Sequence, residues 1–298
     1  MMDQAVFVSP HLDDAALSCG GGIARLVRTG TQVTVVTIFT ADQPLGEPLS
    51  PLARRSHASW GIGDQPFAIR REEDRAGLSL LGAELEHLGL LDAIYRRTPS
   101  GMALYTRPLV APAPDDVERY LPRIVAALGD SAATAHLGGR VFCPAGVGGH
   151  VDHELTRMAV ERVAKADAIV YYDEYPYSAR PTVSAPMDGA ASDWHDCAVT
   201  LSPEELDVRI AAIRAYASQL RGLFPSEVER LREIASARVP VVGRWLVGAP
   251  GVNASGERMA AKVRQDMASS GGERYRWPSA SASPFPGDAG CSAPTDRT

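Results

Sequence analysis

The chain has 298 residues, of which 45% are hydrophobic and 22% are charged, and its formal net charge is -6. This composition is typical of a globular protein and excludes an intrinsically disordered chain, and the length is sufficient for a substantial core. The acidic balance argues against a nucleic-acid partner. No stretch approaches the ~20 continuous apolar residues of a transmembrane helix. The N-terminus does not have the basic and then apolar pattern of a leader, so we expect a cytoplasmic protein.

Four cysteines lie far apart along the chain: Cys19, Cys143, Cys197 and Cys291. They include no C-x-x-C pair, so neither a disulfide framework nor a thiolate zinc site is predicted. We expect reduced thiols.

The N-terminal part of the chain reads as a βαβ unit. An apolar run at residues 5–8 predicts a strand, a helix-compatible stretch follows at about 15–28, and VTVVTIFTAD predicts a second strand. Continuous Val and Ile runs that alternate with helices indicate parallel strands covered on both faces. We therefore expect an α/β fold, with a Rossmann-like open, mostly parallel sheet and helices on both faces.

The rest of the chain continues this alternation. Helices are predicted at residues 70–81, 115–128, 153–165 and 203–220, and strands at 141–143, 168–172 and 197–201. Two Pro-rich stretches, residues 43–66 and 98–114, are predicted to be long surface loops, where substrate contacts often lie. We expect a single domain over residues 1–277 and a disordered tail over 278–298, which has little to bury.

The segment SPHLDD, residues 9–14, places a histidine and two adjacent carboxylates at the end of the first predicted strand. Neighbouring anions repel each other and lose solvation when buried, so they are stable only in water or beside a cation. In open α/β sheets, ligands collect outside the carboxyl ends of the strands. Taken alone, the two carboxylates could equally cap the following helix.

A second histidine-containing segment, GGHVDHELTR, follows the strand predicted at residues 141–143. His150 and His153 are three residues apart, which places both near one side of the first turn of a helix. A catalytic zinc ion takes three protein ligands and keeps one position open. The two strand-end segments together predict a metal centre, because a dication would bind one of the paired carboxylates and favour the ionised form of its neighbour.

At this point the sequence resembles a family. PHLDD followed by HVDH is similar to the P/A-H-x-D-D and H-x-D-H signatures of the PIG-L/LmbE-like, zinc-dependent N-acetylglucosaminyl deacetylases. Supporting matches are Arg70 and Glu73 in RREEDRAGLSLLGAE, Asp92 in LGLLDA, and the late segment AYASQ. The resemblance runs in pieces from about residue 4 to residue 221.

The resemblance implies a role for each matched residue. The ligands of Zn2+ would be His11, Asp14 and His153. Asp13 would be the general base that takes a proton from the attacking water. His150 would stabilise the tetrahedral oxyanion or protonate the leaving amine, and Asp152 would orient His150. Arg70 and Asp92 would contact sugar hydroxyls. A His/Asp/His set also accommodates iron.

Two positions depart from the family pattern. Family members often carry Glu directly after the paired aspartates, where this chain has Ala15, so a partner for the site is missing or comes from elsewhere. Some members carry a tyrosine two residues before the first histidine of the second signature, where this chain has Gly148. Stabilisation of the oxyanion would then depend more on His150 and the metal.

The implied activity is hydrolysis of the N-acetyl, or a longer N-acyl, group of a small glycosylated substrate that contains glucosamine. A glycopeptide-antibiotic pseudoaglycone is the first candidate, within antibiotic biosynthesis. A thiol-conjugate amidase of the same family is an alternative with the same metal chemistry. A non-catalytic glycan-binding module is another, although a binding module needs no base such as Asp13. The sequence does not specify an oligomeric state.

Other segments favour structural roles. The run CGGGIAR follows a strand but does not keep the G-x-G-x-x-G spacing of a dinucleotide site, so its glycines are expected to allow close packing. Asp115 and Asp116 precede a helical stretch and are interpreted as capping residues. In YYDEYPY, Asp173 and Glu174 are expected to be solvated after a buried strand. A role of this segment in the site is left open.

Overall fold

The structure is a computed structural model that describes residues 4–63, 65–133, 139–179, 194–224, 252–278, 281 and 283–285. In these ranges seven strands form one sheet with the order β3-β2-β1-β4-β5-β7-β6. The strands are β1 Gln4–Ser9, β2 Gln32–Thr37, β3 Glu84–His87, β4 Arg140–Pro144, β5 Ile169–Tyr172, β6 Trp194–Val199 and β7 Glu273–Pro278. Strands β1 to β5 pair in parallel, and β7 pairs antiparallel with β5 and β6. The predicted mostly parallel sheet is confirmed.

The helices of the same ranges are α1 Asp14–Arg28, α2 Pro51–Trp60, α3 Pro66–Leu81, α4 Pro114–Arg119, α5 Leu121–Asp130, α6 Val151–Val163, α7 Pro203–Arg214, α8 Ala217–Leu223 and α9 Val252–Ser270. The helices predicted at 15–28, 70–81 and 153–165 correspond to α1, α3 and α6. The single helices predicted at 115–128 and 203–220 are each two helices. Pro122 explains the first break, because it has no N–H to continue the hydrogen-bond pattern of α4.

The sheet is covered on both faces. Successive side chains of a strand point to opposite faces, and those of β1 enter two different hydrophobic clusters. Val6 and Val8 belong to the cluster that contains the apolar faces of α5 and α6. Ala5 and Phe7 belong to the cluster that contains residues of α1, α3 and α7. The predicted arrangement of helices on both faces is therefore confirmed.

The glycine run of α1 allows close packing, as the sequence predicts. A Cβ atom at Gly21 would lie 2.3 Å from the Leu201 side chain, and one at Gly22 would lie 2.4 Å from the Tyr275 hydroxyl. The buried carboxylate of Glu273 accepts hydrogen bonds of 2.8 Å from the backbone N–H groups of both glycines. Any larger residue in this run would push α1 away from β7 and from the segment before α7.

The prediction of a continuous loop over residues 43–66 is wrong, because α2 lies within it. The Ser50 side chain caps this helix by accepting a hydrogen bond from Ala53 N, and Pro51 occupies the first turn. Gly61 ends it in the left-handed conformation, with a φ of 66°. These are standard start and stop signals, but the Pro- and Ser-rich composition of the stretch concealed them.

The sequence patterns missed β3, β7 and α9. Strand β3 reads ELEH and is too polar to be distinguished from a loop. Strand β7 reads ERYRWP, with Tyr275 and Trp277 buried between half-exposed arginines. That alternation is a strand signal, but the segment lies next to the region expected to be disordered.

The expectation of disorder from residue 278 onward is wrong at two points. Pro278 is the last residue of β7. Phe285 is 1% exposed, and its ring lies 4.8 Å from the ring of Tyr275 and 5.9 Å from that of Phe142. Residues 286–298 lie outside the described residues.

Two findings bear on the expected cellular location. Cys19 and Cys143 are free and buried, whereas Cys197 is disulfide-bonded, so the expectation of reduced thiols is wrong for Cys197. In the part of the chain that the structure describes, no helix combines the length and the hydropathy of a bilayer span. A cytoplasmic location stays a prediction.

A buried carboxylate joins the start of α7 to α1. Glu205 and Ser202 form a capping box, in which each side chain accepts a hydrogen bond from the other residue's backbone N–H. Glu205 also accepts hydrogen bonds from Arg25 Nε at 2.9 Å and from Arg28 Nη2 at 2.8 Å. Burial alone would raise the pKa of Glu205, but the hydrogen bonds from Arg25, Ser202 and Arg28 outweigh it and lower the pKa to about 2.

We expect Glu205→Gln to reduce the free energy of unfolding by about 1–3 kcal/mol at pH 7. A carboxyl whose pKa is lower in the folded than in the unfolded chain stabilises the fold above the unfolded pKa. The difference between variant and parent should therefore vanish as the pH falls from ~4.5 towards 2. Urea unfolding at several pH values measures it. The exposed Asp207 of the same helix supplies a control, since Asp207→Asn should cost below ~0.5 kcal/mol. A loss at Glu205 that does not change with pH would contradict the ion pairs.

Candidate active site

The predicted site residues meet at one edge of the sheet. Strands β1, β4 and β5 are parallel neighbours, so their carboxyl ends lie side by side. The chain order reverses between β1 and β4, and open α/β sheets bind ligands at such switch points. The loops after β1, β4 and β5 and the starts of their helices carry His11, Asp13, Asp14, His150, Asp152, His153 and Glu174.

The first segment forms a tight turn between β1 and α1. Asp14 Oδ2 accepts a hydrogen bond of 2.9 Å from the backbone N–H of His11 and lies 3.1 Å from the Nδ1 atom of the same histidine. The side chain of Asp13 makes no capping hydrogen bond to α1. The alternative in which this carboxylate caps the helix is therefore not what the structure contains.

The second segment begins α6. His150 is the N-cap, and its Nδ1 accepts a hydrogen bond of 3.1 Å from the backbone N–H of Asp152. His153, one turn further, places Nε2 at 3.3 Å from Asp14 Oδ2 and Nδ1 at 3.1 Å from Glu174 Oε1. The Asp14 carboxylate thus lies between a histidine of the first signature and a histidine of the second.

The donor atoms suit a metal ion. His11, His150 and His153 each offer a nitrogen within 4.8 Å of the others, and Asp14 Oδ2 lies 3.1 Å from His11 Nδ1 and 3.3 Å from His153 Nε2. Ligands of a tetrahedral zinc ion, each about 2.0–2.2 Å from the metal, are roughly 3.3–3.6 Å apart. Imidazole nitrogens and a carboxylate oxygen are donors that zinc accepts, and the two separations from Asp14 Oδ2 are close to this range.

Asp152 contacts a different histidine from the one expected. Its carboxylate Oδ2 lies 3.0 Å from His11 Nε2 and accepts a hydrogen bond of 3.0 Å from Ala93 N. Only the backbone N–H of Asp152 contacts His150. Because Nε2 of His11 is held in this way, Nδ1 is the nitrogen that faces Asp14.

A buried arginine that the sequence patterns missed compensates Asp152. Arg96 is 3% exposed, and it forms ion pairs of 2.6 Å with Asp152 and 2.9 Å with Asp116. Its guanidinium also lies over the ring of Tyr120, 4.9 Å from the ring centroid. Asp116 is thus an ion-pair partner, and its interpretation as a capping residue is wrong. No sequence signal distinguishes Arg96 from the adjacent half-exposed Arg97.

The environment of the site shifts the pKa values of the two adjacent aspartates in opposite directions. Burial and the neighbouring Asp14 raise the pKa of Asp13 to about 7, although Arg70 and His11 act in the opposite direction. Burial also favours the neutral form of Asp14, but His153 and His11 outweigh it and hold the pKa well below its usual range. Burial and two neighbouring imidazoles hold the pKa of His150 well below its usual range.

Arg70 and Asp92 also lie at the site. The Asp92 carboxylate is 3.7 Å from His11 Nε2 and caps the 3₁₀ turn Ala93–Tyr95. Arg70 is 3% exposed, with Nη2 at 3.8 Å from Asp13 Oδ1 and the guanidinium over the ring of Trp60. Its buried Nε has no hydrogen-bond partner in the described structure.

The structure shows the surroundings of the two positions that depart from the family pattern. Ala15 is buried in α1, and its N–H donates to Ser9 Oγ at 3.2 Å. The ring of Tyr177 lies against Gly148, where a Cβ atom would approach it to 2.7 Å, and meets the His153 ring edge-on. A tyrosine from a later segment therefore lies beside the position where other family members carry one.

Comparisons with known proteins place both signatures within a family match. A family model described as PIG-L, GlcNAc-PI de-N-acetylase, matches residues 6–164, which include both signatures. The chain belongs to the PIG-L family. This PIG-L protein is 29% identical over 238 residues to 2'-N-acetylparomamine deacetylase of Niallia circulans, covering 75% of this chain and 83% of that one. It is 27% identical over 285 residues to 1D-myo-inositol 2-acetamido-2-deoxy-alpha-D-glucopyranoside deacetylase of Mycobacterium sp. (strain KMS), covering 84% and 86%.

Solved structures of PIG-L-like deacetylases share the fold. The zinc-inhibited form of teicoplanin deacetylase Orf2 superposes with a TM-score of 0.69 at 26% identity, covering 92% of this chain and 97% of that one. The A40926 pseudoaglycone deacetylase Dbv21 superposes with a TM-score of 0.64 at 24% identity, covering 93% and 97%. The resemblance inferred from the two signatures is confirmed, and so is the α/β fold class.

Arg96 supplies a test of the buried network. Removing one partner of a buried ion pair leaves an uncompensated charge and typically costs about 3–5 kcal/mol. We expect Arg96→Gln to lower the free energy of unfolding by about that amount, measured by urea unfolding. Arg97→Gln removes a partly exposed arginine that pairs with Glu47, and it should cost about 1 kcal/mol or less. Equal losses in the two variants would contradict the special role of Arg96.

Proposed function

We propose that the chain is a zinc-dependent deacetylase that removes the N-acetyl, or a longer N-acyl, group from a glucosamine-containing substrate. The observation that carries the proposal is that Asp14 Oδ2 lies 3.1 Å from His11 Nδ1 and 3.3 Å from His153 Nε2, with a further carboxylate, Asp13, outside that donor set. A metal-binding site needs three ligands, whereas a hydrolytic site also needs a base.

The three donors would hold the zinc ion. When bound, the ion would polarise the amide carbonyl and make water more acidic. Asp14 lies between the two histidines, and its pKa well below the usual range keeps its carboxylate ionised and available as a ligand. Because His11 Nε2 is hydrogen-bonded to Asp152, Nδ1 is left as the coordinating nitrogen of His11.

Asp13 would take the proton from the attacking water and deliver it to the leaving amine nitrogen as the C–N bond breaks. The charges of Asp14 and His11 both act on the Asp13 carboxyl, which is therefore near two of the proposed ligands. Burial raises the pKa of Asp13, whereas a bound dication would favour its ionised form, which is the form that accepts a proton from water. Arg70, 3.8 Å away, favours its ionised form.

His150 would donate a hydrogen bond to the oxyanion. Its Nδ1 accepts from the backbone N–H of Asp152, so the proton of the neutral ring lies on Nε2. The lowered pKa of His150 favours that neutral ring. Of the two roles implied by the resemblance, stabilisation of the oxyanion therefore has more support than protonation of the amine.

Arg70 and Asp92 would bind the sugar. The buried Nε of Arg70 needs a hydrogen-bond acceptor, which a sugar hydroxyl can supply. Asp92 Oδ1 caps Ile94 N, which leaves Oδ2 to accept from a second hydroxyl. We rank a glycopeptide pseudoaglycone first among substrates, because a teicoplanin deacetylase and the A40926 pseudoaglycone deacetylase share the fold over most of their length.

The first test is release of carboxylate from a panel of N-acylglucosaminyl compounds, followed by mass spectrometry. The panel contains glycopeptide pseudoaglycones, N-acetylated aminoglycosides and a thiol conjugate of glucosaminyl-inositol. We expect loss of the acyl mass from a pseudoaglycone, arrest by a chelator and recovery with Zn2+. Cleavage of the thiol conjugate alone would favour the amidase. Bound zinc without turnover of any compound would contradict the proposal.

Two variants separate the proposed ligand from the proposed base. We expect Asp13→Ala to keep the zinc content and to lose about 10²–10⁴-fold in kcat, because only proton transfer is removed. His153→Ala should lose both zinc and turnover. Elemental analysis after gel filtration and initial rates give the two readouts. Equal loss of zinc in both variants would show that the roles are assigned wrongly.

A further inference from the structure

Glu174 follows β5 in the segment YYDEYPY and is fully buried, with 0% exposure. The expectation that it is solvated is therefore wrong. Its Oε1 atom accepts a hydrogen bond of 2.8 Å from Gly146 N and lies 3.1 Å from His153 Nδ1. Its Oε2 atom accepts a hydrogen bond of 3.0 Å from Val147 N. Both oxygens of the carboxylate are used.

No arginine or lysine of the described residues forms an ion pair with Glu174, and its ion-pair partner there is His153. A buried carboxylate without a cation loses much solvation energy unless hydrogen bonds replace the lost water. The two backbone N–H groups and the imidazole supply that replacement. The groups that stabilise this buried carboxylate therefore belong to the candidate site.

The geometry fixes the orientation of His153. With Nδ1 held by Glu174, Nε2 is the nitrogen left to face Asp14, at 3.3 Å. His11 is held in the opposite sense, with Nε2 on Asp152 and Nδ1 towards Asp14. Each proposed ligand histidine thus has its own buried carboxylate on the nitrogen that does not coordinate.

We propose that Glu174 is a positioning residue for His153 and, through Gly146 and Val147, for the loop that leads into His150. Carboxylates that accept from the second ring nitrogen of a ligand histidine fix its tautomer and orientation and increase its basicity. The inference rests on the proposed function in one respect, namely that His153 holds zinc. It assigns Glu174 no contact with substrate.

The test compares two buried glutamates in the full-length protein. Glu273 provides a control because it is 3% exposed and also accepts from two successive backbone N–H groups. Its partners among the described residues, Gly21, Gly22, Tyr275 and Arg209, include none of the proposed zinc ligands. Zinc affinity is measured by competition with a chromophoric chelator. We expect Glu174→Gln to weaken zinc binding about 10–100-fold, and Glu273→Gln to leave it within about twofold of the parent.

A second readout reports the ligand geometry directly. The visible absorption spectrum of the Co2+-substituted protein should change in Glu174→Gln and stay unchanged in Glu273→Gln. Unaltered zinc affinity and spectrum in Glu174→Gln, or equal weakening in both variants, would overturn the proposal. If Glu174→Gln does not fold, Glu174→Asp is judged by the same criteria. Failure of the parent protein to bind zinc would instead refute the proposed function.

Discussion

Negative charge buried at the carboxyl edge of the parallel sheet is the constraint on which the rest of the structure depends. Asp13, Asp14, Asp92 and Asp152 are each at most 7% exposed. Burial of an uncompensated carboxylate costs several kcal/mol, so each one requires a partner. The histidines of both signatures, the ion pair from Arg96 and the backbone N–H groups of the surrounding turns supply these partners, and they determine how the loops at this edge are arranged.

The buried aspartates differ in how fully their charges are compensated, and the proposed mechanism depends on that difference. Asp14 contacts two imidazoles, and Asp152 contacts an imidazole, a backbone N–H and Arg96. The ion-pair partner of Asp13 among the described residues, Arg70, is more distant at 3.8 Å, and the pKa of Asp13 is raised while that of Asp14 is lowered. Titratable neighbours whose environments push their pKa values apart are typical of acid–base sites. One turn of chain thus contains both the proposed ligand and the proposed base.

Much of the fold and of the candidate site could be predicted from the sequence. The β1-α1-β2 unit has strong periodicity, and the two signatures contain all three proposed zinc ligands. Strand β3 and helix α2 were missed because polar or Pro-rich composition masked them. Arg96 and Glu174 were missed for another reason: in sequence each stands beside a similar, more exposed residue, and only burial distinguishes the two.

The sequence by itself determined the alternation of strands and helices, the two His- and Asp-containing segments at strand ends, and membership of the PIG-L family. These are local patterns, which a window of a few residues contains. Only the tertiary structure decided which ring nitrogen of each histidine faces Asp14 and which carboxylates are buried. The contact between His11 and Asp152 joins residues 141 positions apart. Such contacts follow from the register and order of β1, β4 and β5, which no local pattern encodes.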